Sequence, residues 1–261
     1  MDILRWLELK KREIGFSHNA LVIIAMFTMF LDHFAFIIIS GGKLYGYDPT
    51  LFQNAIKLPE AKKWLLIYSI LRIIGRISFP IFSFLIVEGF RKSSNVFKYI
   101  IRVFILAIVS ELPFDLMIFN KLSFDCFQVQ NVLWTYFIAL IMLSTIKLMS
   151  NLPIFLTIFP AIIAAIITFF LKSDYWIEGI ILTYIFYIFR HDLNLKCLFT
   201  LIATFLITIN NYYGLGILSV FFIYFYDGTK GYFDLRRLHY LFYPLHILIL
   251  YFALYFSNIY D

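Results

Sequence analysis

Residues 29–36 read MFLDHFAF, placing Asp32 and His33 side by side inside an otherwise apolar run. A charge at bilayer depth costs at least about 2.5–3.5 kcal/mol, so such residues need a partner, a wet cavity or a function. An imidazole in a dry site is mostly neutral near pH 7 and serves as general base or as nucleophile. Three further patterns share this character. In LRIIGRISFPIF, Arg72 and Arg76 stand four apart on one helical face, with Pro80 removing the donor that the Arg76 carbonyl would otherwise accept from. Their guanidinium groups are suited to neutralising Asp32, Glu111 or Asp115, or to stabilising an oxyanion. In VSELPFDLM, Glu111 and Asp115 are again four apart around Pro113, and two dry carboxylates so close ionise together only if cations answer them. An ion-pair cluster with the arginines is the simplest expectation. In YLFYPLHILIL, His246 follows Pro244 by two residues in the last apolar run.

The remaining polar candidates lie at run ends. Glu88 is expected to pair with Arg91 or Lys92 near the headgroups, and Gln130 and Asn131 in QNVLW to cap a helix or orient a polar group. No His-x-x-His, clustered cysteine or phosphate-cradling glycine loop is present, so neither a metal nor a nucleic-acid partner is expected.

The elements that position these groups are membrane helices. The 261 residues are 62% hydrophobic, 21% aromatic and only 15% charged, beyond the usage of a soluble domain. Apolar stretches of about 20 residues, each enough to cross about 30 Å of hydrocarbon, recur along the chain. The expected fold is all-α: a polytopic transmembrane bundle in one domain, 1–261, whose residues 1–18 form an interfacial N-terminal segment. Nine spans are expected: 19–40, 64–90, 96–119, 131–149, 152–171, 175–190, 195–210, 213–227 and 239–258. Sorting the 22 Lys and Arg by loop puts fourteen on the side of the N-terminus and six opposite, leaving Arg72 and Arg76 within a span. The positive-inside rule then makes the N-terminus cytoplasmic. This topology separates Cys126 from Cys197, so no disulfide is expected between them.

The order of IAMFTMFLDHFAF, LRIIGRISFPIFSFLIVEGFRKSSN, VSELPFD, QNVLWT, YDGTKG and YLFYPLHILIL resembles the TraX family of bacterial inner-membrane proteins. DYWIEGIILTYIFY adds a match in the region where hydropathy otherwise carries the likeness. The resemblance implies an acyltransferase moving acetyl from cytosolic acetyl-CoA to an amine or hydroxyl of a surface-destined acceptor: a pilin-like peptide, a glycan or a lipid-linked intermediate. His33 is the matching candidate for base or acyl carrier, with Arg72 or Arg76 at the oxyanion and Asp32 fixing the histidine or the charge balance. The nucleotide of acetyl-CoA is expected on Arg91, Lys92, Arg236 and Arg237, its pantetheine arm passing His246. Buried Asp, Glu, His and Arg also line proton and solute paths, which keeps a transporter or proton-coupled permease as the rival class.

Overall fold

The computed structural model describes residues 15–121, 128–232, 235 and 238–257. Arg5, Lys10, Lys11, Arg12, Cys126, Arg236 and Arg237 therefore lie outside the described residues, as does the interfacial segment up to residue 14. Among the described residues the structure is helical, with two isolated bridges, Phe16 to Tyr226 and Gln130 to Ser173. The helices are α1 (His18–Phe34), α2 (Pro49–Ala55), α3 (Ala61–Gly75), α4 (Ser78–Lys92), α5 (Val96–Phe119), α6 (Val132–Leu148), α7 (Ile158–Leu171), α8 (Trp176–Ile188), α9 (Leu193–Tyr212), α10 (Leu218–Tyr224) and α11 (Leu238–Phe256).

Every expected span has a helical counterpart among the described residues, though they differ in length and polarity. Five stretches are long and apolar enough to span a bilayer: His18–Lys43, Ala61–Lys92, Ile154–Leu171, Leu193–Asn210 and Leu238–Phe256. Val132–Leu148, Trp176–Ile188 and Leu215–Tyr224 are apolar but shorter. α5 has the length, yet carries Lys98, Arg102, Glu111 and Asp115. Phe27, Leu66, Phe97, Ile163, Phe170, Leu206, Ile249 and many other large apolar side chains face outward, as a lipid-facing surface requires.

Two irregularities shape the interior. α1 continues beyond Phe34 as a π-helical segment, Ala35–Lys43, so the winding changes directly after Asp32 and His33; such widened turns recur at functional positions. The second expected span breaks at Arg76 and Ile77 into α3 and α4. Pro80 has no N–H for the Arg76 carbonyl, the break tightens into bonds from Arg76 and Ile77 N–H to Ile73 and Ile74, and the Ser78 hydroxyl donates to the Gly75 carbonyl at 2.8 Å.

Lys43 and Lys63 flank the Trp64 ring at one end of the bundle, while basic side chains gather at the other, where α4 ends. Lys92 donates to Tyr226 and Gly228 there, Lys147 lies over Phe90, Lys196 over Phe84 and Arg190 over Tyr187. The loop after α10 folds over the start of α1, where His18 and Asn19 N–H donate to the Thr229 and Lys230 carbonyls. Ser17 caps α1. These residues are the ones that the charge count assigned to one side.

Candidate functional site

The break between α3 and α4 and the middle of α1 are brought together by a glycine. A Cβ on Gly75 would lie 2.3 Å from Asp32 Oδ1, so only glycine lets α3 approach the Asp32 side chain this closely. Asp32 accepts from both arginines: Arg72 Nη1 at 2.6 Å and Arg76 Nη2 at 2.5 Å. Arg76 Nη1 donates to the Tyr175 hydroxyl at 2.6 Å, and Arg72 Nη2 to the Tyr212 hydroxyl at 3.1 Å. The Arg76 guanidinium also stands 4.5 Å from the centre of the Tyr212 ring, and the Tyr175 ring stacks on Phe79 at 3.6 Å. One carboxylate thus holds two cations, and α1, α3, α8 and α9 meet around them. Arg72 Nε is buried and has no hydrogen-bond partner among the described residues.

His33, the next residue, points to a different helix. Its Nδ1 lies 2.6 Å from Nε2 of His246 on α11, the ring centres 4.8 Å apart and the planes within 6° of parallel. His246 Nδ1 in turn lies 2.6 Å from the Phe242 carbonyl. A carbonyl only accepts, so His246 Nδ1 carries the hydrogen; neutral His246 then offers a lone pair at Nε2, and His33 Nδ1 must donate to it. This chain of two bonds leaves His33 Nε2 as the acceptor.

Both clusters line one cavity of about 1780 Å³, to which His33, Asp32, Arg72 and Arg76 contribute together with Asp174 and Tyr175. At the basic end its wall includes His18, Lys92, Arg102, Lys230 and His239. His18 and His33 lie on the same helix, about 22 Å apart at the rise of an α-helix.

Several expectations need correction. Glu111 does not take an arginine: it accepts from Trp134 Nε1 at 2.9 Å and from a closely placed Asn131 amide, because the α5 face bearing it packs on the start of α6. Neither Glu111 nor Asp115 is in the cavity wall. Asn131 caps α6, its side chain accepting from Leu133 N–H, and Gln130 bonds through its backbone to Lys172 and Asp174. Neither residue reaches the cavity. His246 stands behind His33 rather than along the passage: its Nε2 is engaged by His33 Nδ1, and it is buried and outside the cavity wall. At the basic end Glu88 pairs with Arg91 at 2.7 Å and Lys92 at 3.1 Å; Lys92 lines the cavity, Arg91 does not.

Sequence reasoning missed Asp174, Tyr175 and Tyr212. The segment DYWIEG holds the first two at the entrance of α8, and its acidic residue between two apolar runs was the available signal. Burial pushes the Asp174 carboxyl up to about 6, with Arg76 and Arg72 opposing the rise.

A family model described as TraX protein matches residues 17–253. The probable fimbrial assembly protein FimC, serogroup H1, of Dichelobacter nodosus is 29% identical over 260 residues, which cover 92% of this chain and 96% of that protein. No solved structure matches the chain.

Proposed function

The chain belongs to the TraX family, and from that premise we propose that it is a membrane acyltransferase, moving an acetyl group from cytosolic acetyl-CoA to an amine or hydroxyl of a surface-destined acceptor. The similarity to a fimbrial assembly protein supports a place in building surface appendages. The basic end of the bundle faces the cytoplasm of the bacterial inner membrane in this reading.

The observation that carries the chemistry is the bonded chain from the Phe242 carbonyl through His246 to His33. It holds His33 in the tautomer whose Nε2 accepts a proton, the arrangement a general base needs. As the acceptor attacks the thioester carbon, His33 Nε2 takes the proton from its nitrogen or oxygen. The carbon–sulfur bond then breaks, and the imidazolium returns the proton to the leaving thiolate. His246 Nε2, receiving the His33 Nδ1 hydrogen, stabilises the imidazolium as it forms.

The arginine cluster supplies the field for this step. Asp32 cancels one of the two positive charges beside it, so the ion triad keeps a net cation in the wall of the cavity that His33 also lines, where it favours a developing oxyanion. Asp32 is in this reading a positioning residue, with its carboxylate on the arginines rather than on His33. The basic mouth of His18, Lys92, Arg102, Lys230 and His239 suits the phosphates of CoA, and the distance from there to His33, about 22 Å, is within reach of an extended pantetheine arm.

The test has two parts. Detergent-purified protein should unfold at higher temperature with CoA or acetyl-CoA than without, and membranes given labelled acetyl-CoA should yield a labelled acceptor. A protein that gains no stability from CoA and releases no thiol from acetyl-CoA would refute the proposal and leave the permease reading in its place.

A further inference from the structure

The cavity has a second kind of opening. Ile105 and Val109 of α5 and Leu241 of α11 belong to its wall and are 54%, 56% and 54% exposed, on the same helices that carry the exposed Ile101, Ile108 and Leu245. A side chain that lines an internal space and also faces outward marks the rim of an opening. The basic mouth is rimmed by lysine and histidine; this second rim is apolar, on helices otherwise coated with lipid-facing residues. It therefore opens to hydrocarbon, where water-soluble molecules do not enter.

Its level is fixed by neighbouring contacts. α5 and α11 pack along each other, with Arg102 lying 6.0 Å from the Tyr240 ring. Both helices run away from the basic end, so along the bundle Ile105 is at the level of Tyr243 and Pro244, and Val109 one turn further, at about the level of His246. The His33 ring lies 6.3 Å from Tyr243 and 4.8 Å from His246. Inside the opening the wall is again apolar, through Leu106, Leu85, Val103 and Val22.

We propose that this opening between α5 and α11 admits an acceptor carried on a lipid, whose nucleophilic head reaches His33 while its chains run out along the apolar inner wall into the bilayer. The inference rests on the acyltransferase reading and names its acceptor class. A lipid is favoured over a water-soluble acceptor because the rim is apolar and lies on helices whose other exposed side chains are apolar too.

Two measurements separate this inference from the reading beneath it. In the first, the protein is placed in phosphatidylcholine vesicles carrying a chain-borne diazirine, irradiated and digested. Adducts are expected on the buried wall residues Val22, Leu85 and Val103, and should fall at least fivefold in Ile105→Trp and Leu241→Trp, while adducts on outward-facing Phe97 stay constant. Absence of adducts on the buried wall, or adducts indifferent to both tryptophans, would overturn the opening whether or not the protein is an enzyme. In the second, vesicles holding bacterial lipid extract and the protein receive labelled acetyl-CoA. Label should move to the organic-extractable fraction, and the tryptophan variants should lower that transfer at least tenfold with CoA binding unchanged. Label recovered in peptide or in a water-soluble glycan would overturn the lipid acceptor while leaving acyl transfer standing.

Discussion

Replacing Asp32 with alanine removes the one carboxylate that both Arg72 and Arg76 contact, and the cost can be worked from what each arginine keeps. Arg76 retains the Tyr175 hydroxyl at 2.6 Å and the Arg72 carbonyl at 3.3 Å; Arg72 retains the Tyr212 hydroxyl at 3.1 Å and its place over the Phe36 and Tyr68 rings. The two lost bonds are charge-assisted and largely shielded, the side chains of Asp32, Arg72 and Arg76 being 9%, 16% and 11% exposed. Breaking a buried pair by deleting one partner costs about 3–5 kcal/mol, because an uncompensated charge stays behind. Here two cations share that fate, which places the loss at the upper end of the range. For a chain of this size about 2–4 °C of melting temperature accompanies each kcal/mol, giving a fall of roughly 10–20 °C for Asp32→Ala in detergent. The second substitution Arg76→Met should recover part of the loss, since it removes one of the stranded charges. A melting temperature for Asp32→Ala within about 2 °C of wild type would show that water reaches the arginines and that Asp32 does not hold them.

Two further outcomes follow from the same geometry. His246→Ala leaves the His33 Nδ1 hydrogen without its acceptor, so kcat should fall by about 10²–10⁴ while the KM for acetyl-CoA holds; a KM rise at constant kcat would instead make His246 a binding residue. Asp174 is held protonated more readily in the folded chain, at about 6 against an ordinary 3.8, so its ionisation opposes folding. Stability from this group is therefore present at low pH and lost as pH rises through about 6. Melting temperature should climb from pH 7 to pH 5 more steeply in wild type than in Asp174→Asn, and equal slopes would remove Asp174 from the titration.

The helical plan was legible because hydropathy reports burial in lipid directly: all nine apolar runs have helices within a few residues of their expected ends. What hydropathy does not report is continuity. The 64–90 run reads as one span, and only the local conflict among Gly75, the ion pair of Asp32 and the missing N–H of Pro80 divides it at Arg76. The membership of the site was legible in the same way, since a charge among apolar residues stands out wherever its partner lies. Pairing was not. Arg72 and Arg76 had three carboxylates within plausible depth, and the choice of Asp32 over Glu111 and Asp115 depends on which helix faces which. His33 and His246 are 213 residues apart, and no spacing in the chain announces a contact of that kind. Tyr212 is one of eighteen tyrosines and has no charged neighbour to set it apart from a side chain at a membrane interface, whereas Tyr175 is marked only by Asp174 beside it.

The central claim is that His33 Nε2 accepts the proton of the attacking group. It is tested most directly by single-turnover transfer of labelled acetyl from acetyl-CoA in reconstituted vesicles, wild type beside His33→Ala, with CoA-dependent stabilisation measured on both. The expected result is a loss of transfer by at least 10²-fold in His33→Ala with CoA stabilisation retained. Transfer by His33→Ala at the wild-type rate would contradict the account.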